Sequence, residues 1–427
     1  MSLKKVFHLK KSSKKGMALI MVLSTIIFVI LVIQETVFET QVEYRSAIAE
    51  LNSLRAYYAA KSGMEVNILR IKSYTKIINS YDNKTINQFR PYINLIWRLP
   101  FQWPPSIPKE LDSITAEEVS KISDGSFMQA QFTTLIEPES SKIDINDLAS
   151  PIPSLRVWTH NVLSNLIALL RINNKKLDDA LSEQDINNIL NNIKDWADPD
   201  TRQSERNTPE SHLYDQTGLP RNRSFVSIEE LRQVAGISDI LYTTLKPFIT
   251  IYGEKGLSVN TSSNTHLIQA LLGAPLELAQ EINELISHPI NPVIFTKKTF
   301  FDFLNEKGFS ELNQHLIPPD NPQRNQKDQH ISYLIFDAPY NFRMQSTGFA
   351  GNSQRTLTAI YFDTTSFSNR FNKLMATEKQ REKIKIINKI TTKTVRTAPD
   401  PTPRRTDQNP PLNQKQEPTI IYWKESF

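Results

Sequence analysis

Residues 14–33 read KKGMALIMVLSTIIFVILVI. Two lysines and a glycine precede Met17–Ile33, a run of 17 residues without a charge. A run of this length lies at the lower end of what crosses a bilayer as a helix. Six Lys in residues 1–16 precede it, with no acid among them. That bias holds the N-terminus in the cytoplasm and sends the rest of the chain across. The run is longer than a cleaved signal's apolar region, and no small-x-small site follows it. The helical pattern continues past Ile33: Tyr44, Ile48, Leu51, Tyr58, Val66 and Leu69 recur on one face, and no Pro interrupts residues 17–72. The reading is a single helix of roughly 80 Å at 1.5 Å per residue, apolar all round at first and amphipathic after that.

The rest of the 427 residues can bury a core of its own, with 39% apolar residues and 9% aromatics. The chain has no Cys, which excludes disulfides, thiolate chemistry and iron–sulfur ligation. The net charge of +5 is concentrated at the two ends. Residues 371–418 hold seven Lys and four Arg against five acids, so the body between the ends is net negative. Such a body is not a nucleic-acid-binding core. The seven His form no H-x-x-x-H, and the 11 Gly form neither a phosphate loop nor a dinucleotide fingerprint. The chain reads as a non-enzyme.

Along the body, Trp97, Phe101 and Trp103 among Pro100, Pro104, Pro105 and Pro108 mark a packed loop. Ser126–Phe132 alternates as a strand. Helices are expected over Leu155–Ile172, Asp178–Trp196, Thr265–Leu272 and Pro275–Ile286. Ser182/Asp185 and Ser227/Glu230 stand at capping positions. Residues 331–363 alternate as an antiparallel pair or triple, with Gly348 and Gly351 in the turn. The organisation expected is 1–16, a leader; 17–72, the helix, with its membrane part at 17–38; 73–147, mixed α/β; 148–253, a helical domain; 254–330, a second helical or mixed subdomain; 331–365, strands; 366–418, a polar basic linker, disordered; and 419–427, a terminal strand.

Asp195, Asp198, Asp200 and Glu210 place hard oxygen ligands on one loop, a set that suits calcium, although Asp198-Pro199-Asp200 also reads as a solvated turn with capping Asp.

Several segments, in order, resemble the minor pseudopilin K family of the type II (general) secretion pathway. They are Lys14-Lys15-Gly16 before the apolar run, Ile143-Asp144-Ile145-Asn146, Asp195-Trp196 with Asp198 and Asp200, Pro209-Glu210 with Tyr214, Asn222-Arg223 with Ile228–Leu231, and Val259-Asn260-Thr261. The resemblance implies an α+β fold: a long N-terminal transmembrane and amphipathic helix packed on a small antiparallel, pilin-like sheet, with a large inserted helical (SAM-like, helix-hairpin) domain. It implies a place at the tip of the secretion pseudopilus, with minor pseudopilins I and J and the other pseudopilus subunits as partners, and a part in assembly and in export across the outer membrane. It implies cutting by prepilin peptidase between Gly16 and Met17, methylation of the new amine, an inner-membrane anchor and a periplasmic C-terminal domain. It carries calcium onto Asp198, Asp200 and Glu210. Thr208-Pro209 stands where the family has Gly-Ala, and Met21 where most pilins have Glu. A carboxylate near the bilayer centre costs about 2.5–3.5 kcal/mol; it is kept where it meets the amine of a subunit above. Met21 therefore suggests a subunit with nothing above it, or no filament.

Two other readings stay open. Glu229–Gly236 resembles half of a helix-hairpin-helix, with a second copy at Asn260–Ile282, which would suit a membrane-anchored DNA-uptake or adhesion component of another pilus-like machine. Only Arg232 is basic beside Gly236, and phosphate binding needs more. The third reading is a plain signal-anchored scaffold.

Overall fold

The structure is a computed structural model that describes residues 14–105, 121, 129–214, 218–262, 264–288, 292–312, 316, 331–391 and 419–426. Helix α1 (Lys14–Ser80) runs for 67 residues without a break. Its first part is exposed all round, and by length and composition it is the one helix among the described residues that could cross a membrane. From Ala56 onward it lies on a five-stranded antiparallel sheet. The buried face is Ala56, Ala59, Ala60, Gly63, Met64, Asn67, Ile71 and Tyr74, spaced three and four apart. Small residues bring the helix close to the strands. This differs from the face that the large apolar residues define: Leu51, Tyr58 and Leu69 point outward, with Tyr58 56% and Leu69 65% exposed. The reason is steric at the close approach of Ala56 and Ala60 to Gly348, where nothing larger fits; further along, Met64, Ile71 and Tyr74 fill the interface.

After α2 (Asn83–Ile93) and α3 (Leu95–Arg98), the sheet is laid down as β1 (Phe101–Trp103) and β2 (Gln131–Pro138). The proline-flanked aromatics thus form a short helix and a strand. The strand read at Ser126–Phe132 starts later, at Gln131, and residues 126–128 lie outside the described ones.

Glu139 to Asn341 form the body inserted between β2 and β7 (Phe342–Ala350). Its two ends are adjacent: Pro138 pairs with Phe342, and the Glu139 amide donates to the Asn341 carbonyl at 2.9 Å. The insert contains β3 (Ile143–Asp144), α4 (Pro153–Ile172), α5 (Lys175–Ala180), α6 (Glu183–Ala197), α7 (Asp239–Leu245), β4 (Ile249–Thr250), β5 (Leu257–Ser258), α8 (Thr265–Leu272), α9 (Leu276–Ser287), α10 (Lys297–Glu306) and β6 (Leu334–Ile335). Both capping boxes form, Ser182 with Asp185 and Ser227 with Glu230. The first splits the helix expected over Asp178–Trp196 into α5 and α6, because Leu181 and Ser182 are extended there. One contiguous apolar core joins Ile143 to Leu374, so the stretches read separately as 148–253 and 254–330 pack as one body.

β7 turns back at Gly351 (φ 53°) into β8 (Ser353–Phe362). Gly348 is not in that turn. It lies within β7, where a Cβ would collide with the Ala56 carbonyl of α1.

The expectation of a disordered linker from residue 366 is corrected. Thr364–Thr391 is a helix, α11. Phe367, Phe371 and Leu374 form an apolar stripe, and further along a buried Glu378–Arg381 ion pair at 2.9 Å continues the face. Ser154 Oγ donates to Glu378 at 2.7 Å and is shared with Tyr333. Polarity hid this helix, because charged residues here occupy buried positions through mutual pairing. Residues 392–418 lie outside the described residues. β9 (Thr419–Ser426) pairs antiparallel with β8 and completes the order β1-β2-β7-β8-β9.

The fold is therefore α+β: a long N-terminal apolar helix on an antiparallel sheet, with a large helical body inserted between two neighbouring strands.

Candidate functional site

The acidic motif begins at the end of α6. Its apolar stripe (Ile186, Ile189, Leu190, Ile193) faces the core and ends in Trp196, which is fully buried, stacked with Phe225 and edge-on to Tyr214. This anchor fixes where the chain leaves the helix. Asp198 is the extended C-cap residue. The loop then folds back on itself: Gln203 N donates to Thr208 O at 2.8 Å, Arg202 bridges Pro209, and Glu210 N reaches Thr201 O at 3.2 Å. Residues far apart in sequence thereby meet. One carboxylate oxygen each of Asp198, Asp200 and Glu210 lies within 4.8 Å of the others.

The departure at Thr208-Pro209 does not open this geometry. Pro209 is extended at φ −59°, and the left-handed residue of the loop is Asn207, at φ 53°. Asn adopts that conformation more readily than other non-glycine residues.

The electrostatics of the cluster are those of an unneutralised site. Glu210 is 1% and Asp198 8% exposed. Among the described residues, neither Glu210 oxygen has a hydrogen-bond partner, nor has Asp198 Oδ1. Burial and the neighbouring carboxylates push Asp198 up to about 6 and Glu210 up to about 7. Lys194, at 3.9 Å from Asp198, is the cation beside them. Buried, unsatisfied oxygens at hydrogen-bond cost are what a hard cation would satisfy, so the residues present fit calcium. Asn222 Oδ1 is buried and unpartnered as well, while its amide donates to the Asp200 carbonyl. Its position in Asn222-Arg223 was visible in the sequence, but its closeness to the acidic loop was not. Asp195 stays out of the cluster. It accepts the Ser204 amide, at 3.0 Å, and the Ser204 hydroxyl, and so closes the loop.

The other motifs hold the insert together. Asn146 accepts the Phe225 amide at 2.8 Å and donates to the Phe225 carbonyl at 3.3 Å. Asn260 does the same for Phe295, at 2.8 Å both ways. Around the Gly236 turn, Arg232 stacks over Tyr242 at 4.1 Å and pairs with Asp239, and Lys246 pairs with Glu229 at 2.9 Å. The cations nearest this hairpin are thus engaged by acids of the same chain.

At the N-terminus, Gly16 and Met17 are both exposed on α1, and a Cβ on Gly16 would meet nothing within 4 Å. Packing within the chain does not require glycine there. Met21 is also exposed, at 67%.

Residues 141–254 match the family model described as type II secretion system (T2SS), protein K. None of the curated proteins matches the chain. Among solved structures, the crystal structure of the GspK-GspI-GspJ complex from the enterotoxigenic Escherichia coli type 2 secretion system is similar, with 19% identity, a TM-score of 0.42, and coverage of 56% of this chain and 77% of that one. The matched stretch contains four of the motif segments, from Ile143 to Leu231, and lies within the body inserted between β2 and β7. Over residues 141–254, then, the chain is similar to the type II secretion system protein K family.

Proposed function

We propose that the chain is a minor pseudopilin that sits at the tip of the pseudopilus, anchored in the inner membrane by residues 17–38 with its folded body in the periplasm. The observation that supports this most is where the bulk lies. The insert packs against α2 and α3, which flank the C-terminal part of α1, where Arg70 donates to the Ile96 carbonyl at 2.7 Å: Arg98 donates to the Ile286 carbonyl at 2.6 Å, and Arg90 donates to the Phe336 carbonyl. A body that wide at the end remote from the apolar segment obstructs addition of a subunit above. Met21 agrees with it, having no amine above to meet. The outward apolar face of α1, with Leu51, Leu54 and Tyr58, is what partner helices such as those of minor pseudopilins I and J would cover.

Processing belongs to the same reading. Prepilin peptidase would cut between Gly16 and Met17, and the new amine would be methylated. A glycine with no packing role is consistent with selection by a peptidase. Calcium would be held by Asp198, Asp200 and Glu210, where it fixes the loop that carries the motif.

The N-terminal mass of the protein from its native membrane tests this directly. A start at N-methylated Met17 supports it, and an intact Met1 removes it. Photo-crosslinkers at Leu54 and Tyr58 test the partners; capture of no pseudopilus subunit would sink the assignment. The DNA-uptake reading is not favoured, because the cations at the Gly236 turn are paired.

A further inference from the structure

A cleft of about 270 Å³ opens between α10, β6 and α11, away from the acidic loop. Its walls are apolar, from Phe301, Leu334, Phe336 and Leu374. Its charged groups are mostly cationic: Arg370 and Lys373 lie one turn apart on α11, and Lys297 opens α10. The acid among them, Asp337, favours the charge of the Arg90 guanidinium and disfavours that of the buried Glu254. Two donors at the cleft lack an acceptor among the described residues. Ser332 is 3% exposed and its hydroxyl is unpartnered. Arg370 Nε is buried and has no hydrogen-bond partner among the described residues, although the same guanidinium donates through Nη2 to the Lys255 carbonyl at 3.3 Å and favours the charged forms of Glu254 and Asp147.

Unpaired buried donors beside cations await an acceptor with negative charge. The apolar walls narrow the choice. A phosphate would leave them bare, whereas a carboxylate carried on an apolar body fills both parts. Its two oxygens suit a guanidinium edge and a hydroxyl. Pockets of this kind take their affinity from the walls and their orientation from a few placed polar groups. We propose that this cleft binds a carboxylate borne on an aromatic or aliphatic group. Two sources share that chemistry: the free C-terminal residue of a polypeptide and a small aryl-alkanoate.

The test uses the full chain in detergent micelles, with ¹⁹F NMR titration of 3-(4-fluorophenyl)propionate and of its amide. The acid should bind saturably and the amide about tenfold more weakly, as loss of a charge-assisted pair implies. Lys373→Met, at an exposed position, should weaken the acid about fivefold and leave the amide unchanged. Ser332→Ala should act in the same direction, with melting curves checking that both variants fold. The sources are told apart by a tetrapeptide ending in free Phe and the same peptide amidated. Tighter binding of the free peptide than of the small acid assigns the polypeptide source, and the reverse assigns the small molecule. Equal binding of acid and amide, no saturable binding up to about 10 mM, or unchanged affinity in both variants overturns the proposal. None of these readouts depends on the tip placement or on calcium.

Discussion

The Asn146 side chain binds the backbone of Phe225 through both its polar groups, accepting the amide at 2.8 Å and donating to the carbonyl at 3.3 Å. It behaves as a one-residue strand that ties the entry of the insert to the segment beneath Trp196. Asn260 and Phe295 repeat the device deeper in the core, with Asn260 9% exposed. Replacement by Ala leaves two backbone groups unsatisfied at each site. Asn260→Ala should cost about 2–3 kcal/mol in urea unfolding and Asn146→Ala about 1–2. Equal losses, or none, would show that water replaces the amide at both positions.

The carboxylate cluster predicts a calcium response. Calcium added to the chain should raise its melting temperature, by mass action on the folded state. Asp198→Asn and Glu210→Gln should each remove most of that rise, and Asn222→Ala part of it. Isothermal titration checks the same point. A full calcium response in both carboxylate variants would place the ion elsewhere.

A third prediction concerns pH. Glu254 is fully buried, accepts the Tyr340 and Asn341 amides at 2.9 Å each, and leaves its other oxygen unpartnered. Burial raises it to about 7 despite those amides and Arg370. Because the folded value lies above the unfolded one, the folded chain holds the proton more tightly. The group's contribution is fully present below about pH 4 and lost as pH rises through 7. Stability should fall between about pH 5 and pH 8, and Glu254→Gln should flatten part of that fall. Asp147 adds to the slope: burial raises it to about 7 against the pull of Lys255, which pairs with it at 2.6 Å and with Asp144 at 3.3 Å. Asp337, Asp363, Tyr340 and Arg370 face the same region. A slope unchanged in Glu254→Gln would assign the effect to the Asp147 group.

The contact between α1 and β7 predicts a steric result. Gly348 faces the Ala56 carbonyl and the Ala60 amide, both backbone atoms that cannot swing aside. Gly348→Ala should destabilise the packing of helix on sheet by about 1–3 kcal/mol. Ala added at Gly16, which meets no neighbour, should leave stability unchanged. If Gly348→Ala is neutral in urea unfolding, the helix does not lie at the distance described.

Much was legible in the sequence. The apolar run with its lysines, the unbroken helix and the order of the motifs depend on local composition and spacing, which a chain carries before it folds. Helix α8 lies at the residues its periodicity predicts, and the boxes at Ser182 and Ser227 form because capping is a contact between near neighbours. The acidic residues could be named as ligands by type. What the tertiary structure decided were the long-range matters. Which face of α1 meets the sheet follows from the closeness that Gly348, Ala56 and Gly63 permit, not from where the large apolar residues stand. The α11 helix, polar enough to read as a linker, is held by a buried Glu378–Arg381 pair with Ser154, 224 residues from Glu378 in sequence. The meeting of Asn222 with the acidic loop depends on the fold of everything between them. Local pattern sets what each segment can become; contacts between distant segments, whose energy appears only when both are in place, set which face is buried and which groups share a site.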